Sequence, residues 1–236
     1  MNLNHWLERL KSRIRHGSRR RAFRSPSSGL RWQFRKMAPQ FEPLEDRTLL
    51  TLLVVDTNSD VDDGDYSAGN LSLREAVALA NANSGADTIT FGDGSASGGT
   101  NFLDASPDTI TLGGSQLDIT DAVTITGPGA DLLTISGNNV SRVFYIDDGN
   151  AGTLAATTIE YMTIASGRAA PGAGGGIYSK ENLTLRNCTV TGNYAQNGAS
   201  GLYNYKGNAD VQDSIITGNT GHGSLVNFQG TLSVRN

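Results

Sequence analysis

Near its C-terminus the chain repeats itself. The segment Leu183-Thr-Leu-Arg-Asn-Cys-Thr-Val-Thr-Gly-Asn193 returns as Ala209-Asp-Val-Gln-Asp-Ser-Ile-Ile-Thr-Gly-Asn219, and Leu185/Val211, Cys188/Ser214, Val190/Ile216 and Asn193/Asn219 are each 26 positions apart. One unit earlier, Ile159, Met162, Ile164 and Gly167 keep the same offset. A fixed period in this range indicates a solenoid, a propeller or an array, in which each unit buries its apolar face only against its neighbours. Within a unit, Leu183-x-Leu185 and Cys188-x-Val190 alternate with period two, which is the strand pattern, and no unit is long enough to hold a crossover helix. Short strands broken by Gly and Asn bend the chain several times per unit. The expected fold is all-β, a right-handed parallel β-helix of about six coils between Ile89 and the end. In it Asn187 stacks with Asp213, and Asn193 with Asn219. Asn at such corners tolerates the left-handed conformation, and could either form a hydrogen-bonded ladder or serve only as a turn residue.

Upstream the same alternations recur at less regular spacing: Ile89-x-Phe91, Ile110-x-Leu112, Leu117-x-Ile119, Val123-x-Ile125, Leu133-x-Ile135 and Phe144-x-Ile146. Gly-Gly-Ile177-Tyr-Ser returns as Ser-Gly-Leu202-Tyr-Asn. The last residues, Leu232-Ser-Val-Arg-Asn236, repeat Leu183-Thr-Leu-Arg-Asn187 with no capping pattern after them, so further coils or a partner are expected to cover that end.

Charge divides the chain. The net charge of −4 hides a basic segment, residues 1–40, which holds eleven of the nineteen Lys and Arg but one of the 23 acids. Such asymmetry marks a separate tail. It has no apolar run suited to an ordinary secretory signal, and Leu49–Val55 is too short to span a bilayer and reads as the first strand. Three readings compete: a nucleic-acid arm, a membrane-surface helix with Trp6, Leu7, Leu10 and Ile14 on one face, or a segment used in export. The acidic remainder argues against nucleic acid.

Ser72-Leu-Arg-Glu-Ala-Val-Ala-Leu-Ala-Asn-Ala82 is the one convincing helix of the folded part. Ser72 and Glu75 form a capping box, and Leu73, Ala76, Val77 and Ala80 share an apolar face suited to covering the first coil. The organisation is therefore a basic tail over 1–40, a motif over 41–51, a cap over 52–91 and β-helix coils over 92–236.

Two resemblances bear on destination. Leu44, Glu45, Arg47, Leu49 and Leu50 resemble the LEPR-x-LL segment of predicted planctomycete surface proteins, with Asp46 where Pro is usual. That likeness is short and implies an extracellular or cell-surface destination. Asn70-Leu-Ser-Leu-Arg-Glu-Ala76 with Asn81, Asp87, Ile89 and Phe91 resembles the CSLREA box of bacterial surface and secreted β-helix proteins, and the likeness reaches back to Val55. Leu71 and Tyr66 stand where that family commonly has cysteines. The later coils are similar to polymorphic outer-membrane proteins and pectate-lyase-like β-helices, a likeness that implies fold and not reaction.

Chemistry is sparse. Asp56, Asn58, Asp60 and Asp62 alternate as calcium ligands do. However, Val61 occupies the place where an EF-hand loop needs Gly, and a solvated turn is the competing reading. Cys188, the single cysteine, sits where its neighbours have Ser and Met, and reads as core. Arg186 and Asp213 are placed to pair between coils. Tyr178, Tyr194, Tyr203 and Tyr205 are placed either to stack on a carbohydrate or to pack on the strands. His5, His16 and His222 stand apart, and no catalytic pair or phosphate loop emerges, so the sequence leans away from an enzyme. The expected role is structural or adhesive at the cell surface, with a glycan or protein ligand on the solenoid wall and contact with export machinery or membrane through the tail. The alternatives are a polysaccharide lyase or glycoside hydrolase, and nucleic-acid or membrane-surface binding through the tail. The mark of a polysaccharide-cleaving enzyme is two or three carboxylates with Arg or Lys in a groove on one wall.

Overall fold

The computed structural model describes residues 51–236. The basic tail, nearly all of the LEPR-x-LL-like motif, the helical spacing from Trp6 to Ile14, and His5 and His16 lie outside the described residues.

The chain winds into a parallel β-solenoid with three walls. The long wall contains Leu52–Val55, Asp87–Phe91, Val123–Thr126, Ala156–Glu160, Asn182–Arg186, Asn208–Gln212 and Thr231–Arg235, each hydrogen-bonded to the next in parallel register. The second wall stacks Asp108–Thr111, Leu133–Ser136, Thr163–Ala165, Thr189–Thr191 and Ile215–Thr217. The third stacks Leu117–Ile119, Phe144–Ile146, Ile177–Ser179, Leu202–Asn204 and Leu225–Asn227. A turn uses one strand from each wall, so the solenoid has five complete turns, not six. Ile110-x-Leu112 and Leu117-x-Ile119 belong to one turn rather than two, because the chain changes wall between them.

Period-two alternation builds the core. Leu53, Ile89, Ile125, Ile159, Leu185 and Val211 are in register up the long wall and all buried. Ile110, Ile135, Ile164 and Val190 do the same on the second wall, where Ile216 continues the register half-buried. Burying each such side chain stabilises by about 1.5–3 kcal/mol, and this is the main attraction between turns. The column weakens at the last turn, where Val234, paired with Val211, is 58% exposed.

The repeat offset is the register itself: Ile159 pairs with Leu185 and Leu185 with Val211, while Ile164 pairs with Val190 and Val190 with Ile216. Corners repeat too. Tyr161, Asn187 and Asp213 all adopt positive φ (58°, 50° and 46°) between the long and second walls. Asn187 and Asp213 stack there as turn residues. Asn193 and Asn219 form the ladder: Asn219 Oδ1 accepts from Asn193 N and Nδ2, both at 3.0 Å, and Asn193 Oδ1 accepts from Gly167 N at 2.7 Å. Asn182/Asn208 and Asn204/Asn227 form two more rungs of the same kind.

The cap follows the local sequence. Leu73–Ala82 is the one helix among the described residues; its capping box is present, and Leu73 and Val77 are buried against the solenoid end. Glu75 also accepts from the backbone N–H groups of Asp63 and Gly64 at 3.1 and 3.0 Å, so a single buried carboxylate ties the preceding loop to the helix. Leu71 packs into the core, Tyr66 is exposed, and hydrogen bonds such as Gly69 N to Asp56 Oδ2 hold this loop.

Two long insertions interrupt the period. Residues 92–107 separate the long and second walls in the first turn, and 147–155 separate the third and long walls in the second. The second insertion shares a groove with Lys180, Glu181, Tyr205 and Lys206, which directly follow the third-wall strands.

Candidate functional site

On the third wall the side chains between the buried positions point outward. The register puts Tyr145, Tyr178 and Tyr203 in one column, with Asp118 before them and Val226 after. Neighbouring rings stack with centroids 5.3 Å apart, and Tyr205 and Phe228 extend the stack, 5.6 Å from each other. Strands about 4.8 Å apart, each carrying an aromatic residue at the same register, make such a column inevitable. The tyrosines are half-buried and Phe228 is 46% exposed, so the column remains partly open to solvent.

Beside the column, the 147–155 insertion encloses a groove of about 460 Å³ lined by Asp147, Thr153, Leu154, Lys180, Glu181, Tyr205 and Lys206 among others. Carboxylate oxygens of Asp147, Asp148 and Glu181 lie within 4.8 Å of one another, the one such acidic group among the described residues. Two or three carboxylates with lysines in a groove on one wall are therefore present, although their positions in the sequence do not suggest it. Every carboxylate oxygen in the group already has a partner. Asp147 Oδ2 accepts from Lys180 Nζ at 2.5 Å and Tyr145 Oη at 2.8 Å, and its Oδ1 from Gly149 N. Asp148 accepts from Asn150 N and Thr153 Oγ1. Glu181, 3% exposed, accepts from Asp148 N and Ala155 N, and so holds the insertion down at both ends.

The electrostatics follow from these bonds. Lys180 donates to Asp147, and this with Tyr145 holds its pKa above the ordinary ammonium value, so it stays charged. Burial pushes Asp147 up, but the hydrogen bonds from Lys180, Tyr145 and Gly149 outweigh it and the carboxyl titrates below its usual range. Burial raises Glu181, with the charges of Asp148 and Asp147 adding to it against the two backbone donors. Lys206 Nζ lies 5.4 Å from the Tyr205 ring centroid and has no carboxylate partner among the described residues.

The calcium candidates lie elsewhere. Asp60 binds Arg74 through both oxygens at 2.9 Å and also accepts from Gly113 N. Asp56 Oδ2 accepts from Gly69 N, Asn58 N donates to Thr100 Oγ1, and Asp62 is exposed. The four do not converge as a ligand set; Asp60 fastens the cap helix to the first turn. Arg186 does not pair with Asp213. It reaches back to Glu160 at 3.3 Å and forward to Gln212 at 3.2 Å, because Asp213 occupies the left-handed corner. Cys188 is buried, and burial pushes its thiol up to about 12, which excludes a thiolate nucleophile near neutral pH. Tyr194 is not part of the column and lies under the guanidinium of Arg168.

The sequence singles out Tyr178, Tyr203 and Tyr205, and marks Asp147-Asp148 as an acidic turn that is a weaker metal candidate, but it gives no prominence to Tyr145 or Phe228 and does not bring Glu181 to the acidic turn. Asp148 and Glu181 are far apart along the chain and meet only because the 147–155 insertion lengthens that turn. A cue was available in the Phe-Tyr145-Ile and Ile-Tyr178-Ser strings, which are alike in pattern but not in period. No helix among the described residues is long and apolar enough to cross a membrane. No protein-family model matches the chain, and none of the curated proteins or solved structures compared with it does either.

Proposed function

We propose that the chain is an exported cell-surface or secreted β-solenoid whose third wall recognises a glycan. The tyrosine column beside the 147–155 groove carries the reading. Sugars combine C–H faces with many hydroxyls, and a site for them needs aromatic surface next to fixed polar groups. Tyr145, Tyr178, Tyr203 and Tyr205 supply the first, and Asp147, Thr153, Lys180 and Lys206 the second. Export is supported by the likeness of Leu44–Leu50 to the LEPR-x-LL segment and of Ser72–Ala76 to the CSLREA box. The finer kinship with polymorphic outer-membrane and pectate-lyase-like proteins rests on the coil pattern alone. In this reading the basic tail serves export rather than nucleic-acid or membrane-surface binding.

A second reading, polysaccharide cleavage, is favoured by the Asp147–Asp148–Glu181 group with two lysines in one groove. Binding is preferred because Lys180 is held protonated by Asp147, so it is not available as a base. Both Glu181 oxygens are also committed to backbone donors.

The test is glycan-array binding by the full chain and by Tyr178→Ala and Tyr205→Ala, with product analysis on every glycan that binds. Binding lost at least tenfold in both variants, with no product, supports recognition. Product formation abolished by Glu181→Gln would replace recognition with cleavage. Mass spectrometry of the native N-terminus checks export: processing near Leu50 supports it, and an intact N-terminus on a cytosolic protein refutes it.

A further inference from the structure

Residues 51–236 hold seven Lys and Arg against nineteen acids. Four of the seven bases are neutralised by a carboxylate: Arg74 by Asp60, Lys180 by Asp147, Arg186 by Glu160 and Arg235 by Asp210. Of the other three, Arg142 and Arg168 line one cavity of about 440 Å³. They are one repeat period apart, and Arg168 N donates to Ser141 O at 2.8 Å, so they stand on adjacent turns.

Arg142 is fixed by neutral acceptors. Its Nε donates to Gly174 O at 2.8 Å, its Nη2 to Ala173 O at 2.7 Å and its Nη1 to Gln116 Oε1 at 2.6 Å. A guanidinium has five N–H donors, so two remain unused. Arg168 has no side-chain hydrogen bond among the described residues, and its Cζ is held 4.7 Å from the Tyr194 ring centroid. Asp118 is the one acid on the cavity, and its Oδ1 accepts from Gln116 Nε2 at 2.7 Å. Two cations therefore face one carboxylate, in a domain where acids outnumber bases. Partial withdrawal of a guanidinium from water is unfavourable unless an anion compensates it, and paired guanidinium forks match the geometry of an oxyanion.

We propose that Arg142 and Arg168 form a binding site for an oxyanionic group: sulfate, phosphate or carboxylate. Arg142 Cζ also lies 5.4 and 5.2 Å from the Tyr145 and Tyr178 ring centroids, so the cavity adjoins the aromatic column. The carrier of the group is a charged glycan lying along that column, and this clause alone rests on the proposed function.

The experiment is a titration of the full chain with sodium sulfate at constant ionic strength, followed at the arginine Nε resonances. The same titration is run on Arg168→Gln, whose thermal transition is measured alongside. Arg142→Gln is avoided as the main variant because Arg142 also ties down the 173–174 turn. Sulfated, uronate-bearing and neutral oligosaccharides of equal length form the second arm. The expected result is a saturable shift weakened at least tenfold in Arg168→Gln. Charged oligosaccharides should bind at least tenfold tighter than neutral ones to the native chain and no tighter to the variant. The absence of saturation, or equal sulfate affinity in folded Arg168→Gln, overturns the site. Sulfate binding lost in the variant, with no oligosaccharide bound at all, upholds the oxyanion site and refutes the glycan carrier.

Discussion

Asn193→Ala probes the coupling between turns most directly. Asn193 is fully buried, and its side chain makes three bonds: it accepts from Gly167 N at 2.7 Å, and donates to Ile164 O at 3.1 Å and Asn219 Oδ1 at 3.0 Å. Alanine removes all three and leaves a small void. Asn219 Oδ1 keeps the Asn193 backbone donor, so the chief loss is at Gly167 N–H and Ile164 C=O on the turn below. An orphaned buried backbone group costs about 1–3 kcal/mol, so two of them place the variant about 2–6 kcal/mol below the native chain. Asn219 is only half-buried, and water replaces part of what it offers, so Asn219→Ala is expected to cost about 1 kcal/mol. The double variant should cost less than the sum, because the two side chains share a bond. Turns in a solenoid interact mainly with their neighbours, so the loss should also be local. Urea unfolding gives the magnitudes, and amide exchange at Gly167 gives the location. A change below about 0.5 kcal/mol for Asn193→Ala, or protection at Gly167 equal to that of the native chain, would refute the ladder as a source of stability.

Gly207→Ala should be among the most damaging single changes, since an added Cβ would overlap the Glu181 carbonyl group; the expected result is loss of the cooperative transition or a fall in Tm of more than about 10 °C, well above the usual ~2–4 °C per kcal/mol for a chain of this size. Cys188 should resist thiol reagents until the chain unfolds. Its folded pKa is raised from 9.0 to about 12, so the stability it contributes is complete below pH 9 and lost as pH rises towards 12. Cys188→Ala should therefore lose less stability than the native chain between those values in urea titrations. Asp147 has the opposite sign: its folded pKa is depressed, so its contribution is present above the ordinary carboxyl value and lost as pH falls through the depressed one, and Asp147→Asn should flatten the acid limb of the stability profile. Tyr178→Phe should match the native chain in thermal unfolding because the ring stack is kept, whereas Tyr178→Ala should fall by about 1–3 kcal/mol from lost stacking and burial.

The legible and illegible parts of the molecule separate along its axis. From Ile159 to Val211 the turns keep one length, so residue spacing translates directly into strand register, and the core columns and the alignment of Asn193 with Asn219 could be read from the sequence, whereas the hydrogen bond that makes them a ladder rather than turn residues could not. The cap helix was legible because the Ser72/Glu75 capping box and the Leu73/Val77 face are local signals. Upstream, the steps from Ile89 to Ile125 and from Ile125 to Ile159 are both longer than the repeat period, so insertions break the correspondence between spacing and stacking. The tyrosine column crosses one of those breaks, between Tyr145 and Tyr178, and the acidic group exists only because of it. Arg142 and Arg168 were within reach of the period, but neither belongs to an alternating string, so nothing in the pattern of apolar residues drew attention to them.

The matched corners at Tyr161, Asn187 and Asp213 make the solenoid a ruler with interchangeable divisions. Each corner carries the chain from the long wall to the second with the same backbone geometry, one period further on. Splicing a second copy of residues 187–212 after Gln212 should therefore lengthen the wall by one strand spacing, about 4.8 Å, without disturbing the turns on either side. The inserted copy would carry its own tyrosine pair, so the aromatic column would grow by one rung. The length of the aromatic column would then be set by duplication in the gene, while the insertion at 147–155, which occurs once, would mark a fixed point along it.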